Sequence, residues 1–312
     1  MSAPWLSVLM PIYRGAATLP RTLASLAGQG PGIEVIAVVQ DGRDGSRAML
    51  EAVPGLRLID APDSTSWMQN TNIALRAAQA PLVTMLHQDD LWRPGHGAAL
   101  RAAAQSPAAL WICGADLVDA GDRIVGRMAP PFGPAPRCLE GAEALRHLLV
   151  QNTVALPAAM FSRDAALRAG GLDESLWYTA DWDLWLRLAR LGPVAWDPAA
   201  RVAFRIHAGS LTLTGSRDGA GFRQQLETPV ARHLAALPAP EAARIGRLAR
   251  SSNALNAALA GAYHGQRGEL VRALRGIAAL GPCGWRDFLR DTQIVARLRP
   301  RLRLKLQKRG TA

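Results

Sequence analysis

Short apolar runs alternate along the chain with segments that carry apolar residues at helical spacing. The first run, Leu6-Ser7-Val8-Leu9-Met10, predicts a buried strand that Pro11 ends. Leu19, Leu23 and Leu26 repeat with a helical period, predicting a helix from Thr18 or Pro20 to Ala27, and Gly28 to Gly32 reads as a turn. The run Glu34 to Val39 predicts a second strand, ending in Gln40-Asp41-Gly42. A short helix from Ser46 to Val53, a strand from Leu56 to Ile59 and an Ala-rich helix from Thr71 to Ala80 follow. The next run, Leu82-Val83-Thr84-Met85-Leu86, stops abruptly at His87-Gln88-Asp89-Asp90 and predicts a central strand buried on both faces.

The alternation continues. Strands are predicted over Leu110 to Val118 and Arg123 to Val125, then a Pro/Gly-rich loop over 130–136 and a helix over Glu140 to Val150. Ala158 to Phe161 reads as a strand, and Ser162 opens a helix into Ala169 that Gly170-Gly171 closes. Trp182, Trp185, Leu186 and Ala189 share one face of a helix that starts near Asp181, and one or two strands lie within Ala195 to Phe204. This order predicts an α/β architecture with a mostly parallel central sheet flanked by helices. From about Gln224 the texture changes to Ala, Leu and Arg, with helical spacing in residues 241–260 and 268–280. The chain therefore divides into a domain over residues 1–224 and a helical appendage over residues 225–312. Its last stretch, Arg297 to Arg309, has seven basic residues and no acid. The Arg/Leu alternation there favours an extended segment, Leu298, Leu302 and Leu306 also line one helix face, and a disordered tail fits equally.

Composition narrows the class. With 312 residues, 49% of them hydrophobic, the chain has room for one large domain plus an appendage. No apolar run approaches a membrane span, and no basic lead with an apolar core opens the chain, so neither a spanning helix nor secretion is expected. Cys113, Cys138 and Cys283 are too scattered for a zinc site or a disulfide framework, which points to a reducing cytoplasm. Residues 225–312 hold 16 of the 36 Lys and Arg but 5 of the 25 Asp and Glu, so the appendage carries the whole net charge of +11. A basic tail on a neutral body suits an anionic surface. Membrane lipid and nucleic acid share that charge, but the body has no nucleic-acid-binding signature, so an anionic membrane is the expected partner and nucleic acid is not.

Carboxylates stand at predicted strand tips, at Asp41 and at Asp89-Asp90, and open α/β sheets bind ligands beyond the carboxyl ends of their strands. His87, Asp89 and Asp90 on one loop suit a hard divalent cation and, through it, a diphosphate; an acidic loop leading into the helix near Pro94 explains the same residues. Asp181 is electrostatically favoured near a helix start, and Asp183 stands four residues before Arg187, so a cap and an ion pair explain both without chemistry.

Five stretches nonetheless occur in a telling order: Leu6 to Tyr13 with Pro11 and Tyr13, Val38-Val39-Gln40-Asp41-Gly42, Leu86 to Trp92, Gly170 to Glu174 followed by Ala180 to Arg187, and His207 with Ser210 and Thr212. Over about residues 5–215 they resemble the motifs of the family 2 glycosyltransferases, inverting enzymes of the GT-A nucleotide-diphospho-sugar transferase fold. The resemblance implies a nucleotide-sugar donor, UDP or dTDP, with Pro11 and Tyr13 beside the base and Asp41 accepting from its ring N–H. It implies Asn72, His87, Asp89 and Asp90 along the donor, and Mn2+ or Mg2+ held by Asp89 with His207. It implies Asp181 as the base that deprotonates the acceptor hydroxyl, with Trp177, Trp182 and Asp183 on the acceptor side. The apolar helix face occupied by Trp182 and Trp185 fits a core position better, whereas Trp67 and Trp177, in looplike stretches, suit acceptor stacking. The expected acceptor is a lipid-linked or surface-polysaccharide precursor at the cytoplasmic face of a membrane, with the basic tail as a peripheral attachment.

Four positions depart from the family pattern: Gln40 for a frequent Asp, His87 for the first Asp of the metal loop, Arg14 for a common Asn and Ala180 for a frequent Glu. They leave open a catalytically altered sugar-nucleotide-binding relative. A dinucleotide-binding oxidoreductase shares the α/β pattern, but Pro11-Ile12-Tyr13-Arg14-Gly15 stands where its glycine fingerprint belongs.

Overall fold

Pro11 does not end the first strand: β1 runs Leu6–Tyr13 and is buried up to Tyr13. The reason is its neighbours. On one side β1 pairs with its parallel partner along its whole length, but on the other it is paired only over Leu6 to Leu9, so the N–H that Pro11 lacks has no ladder bond to make there. The computed structural model describes residues 3–206, 218–263, 265 and 268–300. In chain order the first half continues with α1 (Leu19–Leu26), β2 (Ile33–Asp41), α2 (Ser46–Glu51), β3 (Arg57–Asp60), α3 (Trp67–Ala77), β4 (Leu82–Met85), β5 (Leu91–Trp92), α4 (His96–Ala103), β6 (Leu110–Val118), β7 (Ile124–Met128) and β8 (Arg137–Leu139). Then come α5 (Gly141–Val150), β9 (Ala159–Ser162), α6 (Arg163–Arg168), α7 (Ala180–Ala189) and β10 (Val194–Arg205). The helices α8 (Gly219–Leu234), α9 (Ala239–Tyr263), α10 (Gly268–Ala278) and α11 (Gly281–Thr292) follow. The helix expected from Thr71 begins earlier, because the Ser66 hydroxyl accepts from the Gln69 N–H and caps α3 ahead of its apolar period.

The strands form one sheet in the order β3-β2-β1-β4-β9-β6-β10-β5, with β7 on β6 and β8 on β10. It is parallel over β3, β2, β1 and β4 and mixed beyond, where β9 is antiparallel to both β4 and β6 while β10 runs parallel to β6. Two antiparallel steps restore direction, so β1, β2, β4, β6 and β10 all end at the same edge. Side chains of β1 alternate between two cores: Leu6, Val8, Met10 and Ile12 enter one, Leu9 the other. β2 does the same with Ala37 and Val39 against Ile36 and Val38, which is why these strands read as continuous apolar runs.

The core shared by Leu9 and Val38 extends through α5 and α7 into the C-terminal helices, where Leu148, Leu184 and Leu188 meet Val230, Ile245, Leu248 and Phe288. The helical region expected after residue 224 begins at Gly219, and α8 runs across that position. Trp182, implied on the acceptor side by the resemblance, belongs to this core: it is 1% exposed and its indole N–H donates to the Leu148 carbonyl at 2.7 Å. The apolar face of α7, facing α5, takes it out of reach of a ligand. Trp182→Ala leaves a cavity and an unpaired Leu148 carbonyl, and lowers unfolding free energy by about 3–5 kcal/mol in urea denaturation followed by circular dichroism.

Candidate active site

The common edge of the sheet collects the charged residues. At the tips of β1 and β2, Asp41 Oδ2 accepts from Arg14 Nε and Arg43 Nη2, both at 2.8 Å, and Oδ1 accepts from the Arg43 backbone N–H at 3.1 Å. The Arg43 and Arg14 hydrogen bonds hold the Asp41 carboxyl well below the usual carboxylate range, so it is ionised. Arg14 takes a positive φ of 48° and stands over the Tyr13 ring at 5.5 Å. Tyr13 is exposed, while Pro11 is buried inside β1 and presents no wall to a ligand.

The loop after β4 is anchored by Gln88, by the Thr22 hydroxyl, which donates to the Gln88 carbonyl at 2.8 Å, and by Arg205. Gln88 clasps the end of β1, its Oε1 accepting from Tyr13 N and its Nε2 donating to Tyr13 O, each at 2.8 Å. A Cβ on Gly15 would stand 2.6 Å from that Gln88 Oε1, so the close approach requires glycine. Arg205, at the end of β10 and 3% exposed, is the third anchor. Its backbone N–H donates to Asp90 Oδ1 at 3.0 Å, its Nε to the Asp89 carbonyl at 2.8 Å, its Nη1 to the Asp119 carbonyl at 2.8 Å and its Nη2 to Asp122 at 2.5 Å. Asp90 is 1% exposed. Burial, reinforced by the charge of Asp89, pushes its carboxyl far above the usual range despite Arg205. Burial likewise keeps His87 neutral against the pull of Asp89.

His87, Asp89 and Asp90 can each bring one ligand atom within 4.8 Å of the others. His87 Nε2 and Asp90 Oδ2 are buried with no hydrogen-bond partner among the described residues. Two unpartnered polar atoms of this kind in one cluster fit a divalent cation, and ligation would satisfy both. His207, implied as a further ligand, lies outside the described residues.

Asp181 occupies the same edge, because α7 starts there in order to return the chain to the far end of β10. Its Oδ1 accepts from Trp182 N at 2.7 Å and its Oδ2 from Asn152 Nδ2 at 3.1 Å. Burial raises its carboxyl to about 6 against the lowering effect of both bonds. Asn152 precedes β9, whose register against β4 brings the chain in from the carboxyl end of that strand. Trp67 joins the two halves: its ring meets His87 edge-on at 5.2 Å, and its Nε1 donates to the Trp177 carbonyl at 3.3 Å. Trp67 thus begins α3 and braces the His87 loop, where an acceptor-stacking loop residue was expected. Trp177 is half-buried beside Tyr178 and Phe222.

Two implied site residues are struts. Asn72, expected along the donor, is buried and grips the Leu172 backbone with both ends of its amide, at 2.8 and 2.9 Å. The helix face it occupies is turned to the Gly171 loop. Asp183, expected near the acceptor, is 1% exposed and pairs with Arg187 at 2.8 Å and His233 at 3.1 Å. Burial opposes its ionisation, but the His233 hydrogen bond and the Arg187 charge hold its carboxyl below the ordinary value. The segment before Asp181 is also held by Gln225 of α8, which accepts from Tyr178 N and Thr179 Oγ1 and donates to the Ser175 carbonyl. Arg43, Gln88, Asn152 and Arg205 hold this site and were not singled out from the sequence, where Arg14 stood only as a departure from the family pattern. The one local signal was an arginine closing the apolar strand β10.

Comparison with known proteins agrees with this geometry. Residues 7–166 match the model of the family Glycosyl transferase family 2. An uncharacterized protein of Mycobacterium tuberculosis (strain CDC 1551 / Oshkosh) is 28% identical over 68% of this chain and 70% of its own length. An uncharacterized glycosyltransferase of Rickettsia prowazekii (strain Madrid E) is 23% identical over 68% of this chain and 67% of its own. The crystal structure of S. aureus TarS 1-349 in complex with UDP-GlcNAc superposes with a TM-score of 0.66 at 14% identity, covering 92% of this chain and 88% of that one. The fold is that of the GT-A glycosyltransferases, with a helical C-terminal region.

The Trp182 N–H and, after it, the Asn152 amide keep Asp181 from titrating higher still. Carboxyl carbon NMR of Asp-labelled protein should give an apparent pKa near 6 for Asp181, and the near-isosteric Asn152→Leu should move it upward by removing a donor while keeping the site dry.

Proposed function

The chain belongs to glycosyl transferase family 2, and from that premise we propose that it moves a sugar from a nucleoside-diphosphate donor, UDP or dTDP, to a hydroxyl of a lipid-linked or surface-polysaccharide acceptor, inverting the anomeric centre. The observation that carries this reading is the cluster of His87, Asp89 and Asp90 with its two orphaned acceptor atoms, set on the same sheet edge as a carboxylate whose pKa is near neutral. The family match removes the oxidoreductase alternative. The UDP-GlcNAc bound by TarS supports a uridine donor.

Asp89, Asp90 and His87 would hold Mn2+ or Mg2+, with His207 added by the resemblance, and an imidazole in the set favours manganese. When bound, that ion offsets the negative charge gathering on the departing diphosphate. Asp41, kept ionised by Arg43 and Arg14, accepts the ring N–H of uracil or thymine; cytosine offers no proton there. The exposed Tyr13 ring flanks the base. Asp181 receives the proton of the acceptor hydroxyl as it attacks, and Asn152 fixes the direction of the receiving oxygen. A single displacement on the face opposite the leaving group inverts the configuration. Because Asp181 must be ionised to accept a proton, kcat/KM falls as pH drops below about 6. The acceptor side opens near the half-buried Trp177. The basic C-terminal region supports peripheral residence on the cytoplasmic face of a membrane.

A thermal-shift series with UDP- and dTDP-sugars, with and without Mn2+, tests the assignment. A stabilisation that needs both ligand and metal is expected, lost in Asp89→Asn and in His87→Ala. Asp181→Asn should retain the shift while turnover falls by roughly 100-fold or more. Retained turnover in that variant would indicate a different base. A donor-dependent shift with no turnover in the parent protein would indicate a catalytically altered relative.

A further inference from the structure

Nine large apolar side chains stand exposed among the described residues, and five of them fall in residues 271–295: Val271, Leu274, Trp285, Leu289 and Val295. The helices that carry them already have an inward face. On α10, Leu270 and Ile277 pack against the core and Ala273 is buried at the same helical spacing, leaving Val271 and Leu274 on the outer flank. On α11, Phe288, Asp291 and Thr292 point inward, leaving Trp285 and Leu289 outside, four residues apart. Trp285 joins the two flanks. Its Nε1 donates to the carbonyls of Ile277 at 2.8 Å and Ala278 at 3.2 Å, so the indole lies across the end of α10, one turn beyond Leu274.

Charge decides what this face meets. Residues 268–300 hold six arginines and three acids. Each acid is already engaged: Glu269 by Arg223 and Arg272, Asp287 by Arg244 and Arg290, Asp291 by Arg290 and His147. Arg275 and Arg286 are exposed and have no carboxylate partner among the described residues. An apolar centre with a tryptophan, bordered by unneutralised guanidinium groups, complements the phosphates and acyl boundary of an anionic bilayer. A symmetric pair of this chain meeting through the same face would set these arginines against their own copies. No helix among the described residues is long and apolar enough to cross a membrane.

We infer that α10, α11 and the helical residues 294–300 form a docking face for an anionic lipid surface, with Leu274, Trp285 and Leu289 seated in the headgroup region. The inference rests on the membrane part of the function proposed above and adds apolar insertion to its electrostatic attachment. Electrostatic attraction fades in salt, whereas buried apolar area does not.

Co-sedimentation of the full chain with phosphatidylcholine vesicles, with and without phosphatidylglycerol, at 0.15 M and 0.5 M NaCl tests it. The parent protein should bind the anionic vesicles and keep part of that binding at high salt. Leu274→Ser/Leu289→Ser should lower the partition coefficient on the order of tenfold at either salt concentration, with unchanged melting and unchanged donor hydrolysis. Brominated lipid should quench the parent's fluorescence and lose that effect in Trp285→Phe. A double variant that binds vesicles as the parent does overturns the docking face while leaving the membrane reading intact. A parent that binds no vesicle defeats the membrane reading itself. A variant whose only change is a smaller species in sedimentation velocity shows that a second copy covers this face, which also overturns the inference.

Discussion

A carboxyl group held out of water at the end of a central strand sets the terms for everything around it. Asp90 is almost fully buried, and its ionised form is stabilised only by what the fold places against it. Arg205 supplies part of this, but a buried guanidinium needs acceptors of its own and finds them in the Asp89 and Asp119 carbonyls and in Asp122. Asp122 in turn pairs with Arg21. The buried Arg205 guanidinium and its backbone N–H thereby bind together the ends of β4, β6 and β10, and Gln88 adds the end of β1. The His87 loop is rigid because its neighbours must be satisfied. The same burial leaves one oxygen of Asp90 and one nitrogen of His87 without partners among the described residues, a shortfall that a bound cation would satisfy.

Local periodicity made most of the scaffold legible. The alternation that sends Leu6 and Val8 to one core and Leu9 to the other is written directly in the sequence, as is the Asp183–Arg187 pair four residues apart. Pro11 misled because its effect on a strand depends on which side lacks a partner, a property of the neighbouring strand. Asn72 and Trp182 misled because their sequence context resembles a site while the helix faces they occupy point elsewhere. Arg205 and Gln88 act across 115 and 75 residues of chain, and no local pattern records such a bond. Asn152 escaped for the same reason, since its partner Asp181 lies 29 residues away.

The position of Asp181 is likewise a long-range result. α7 carries Asp181 at its first turn, yet α5 receives its indole and α8 receives its buried carboxylate, so both neighbours fix its rotation. Burial then does two things to that carboxyl at once: it raises its proton affinity and limits the water that competes for it.

Gln225 holds Ser175, Tyr178 and Thr179 ahead of α7, and His233, two turns further along α8, closes on Asp183. A chain cut just before Gln225 would shed the brace of the segment that carries Asp181 and open the core around Leu184 and Leu188 to solvent. Such a fragment would fall silent for reasons unrelated to any surface it had lost. In this protein, shortening is a poor substitute for side-chain replacement in separating attachment from turnover.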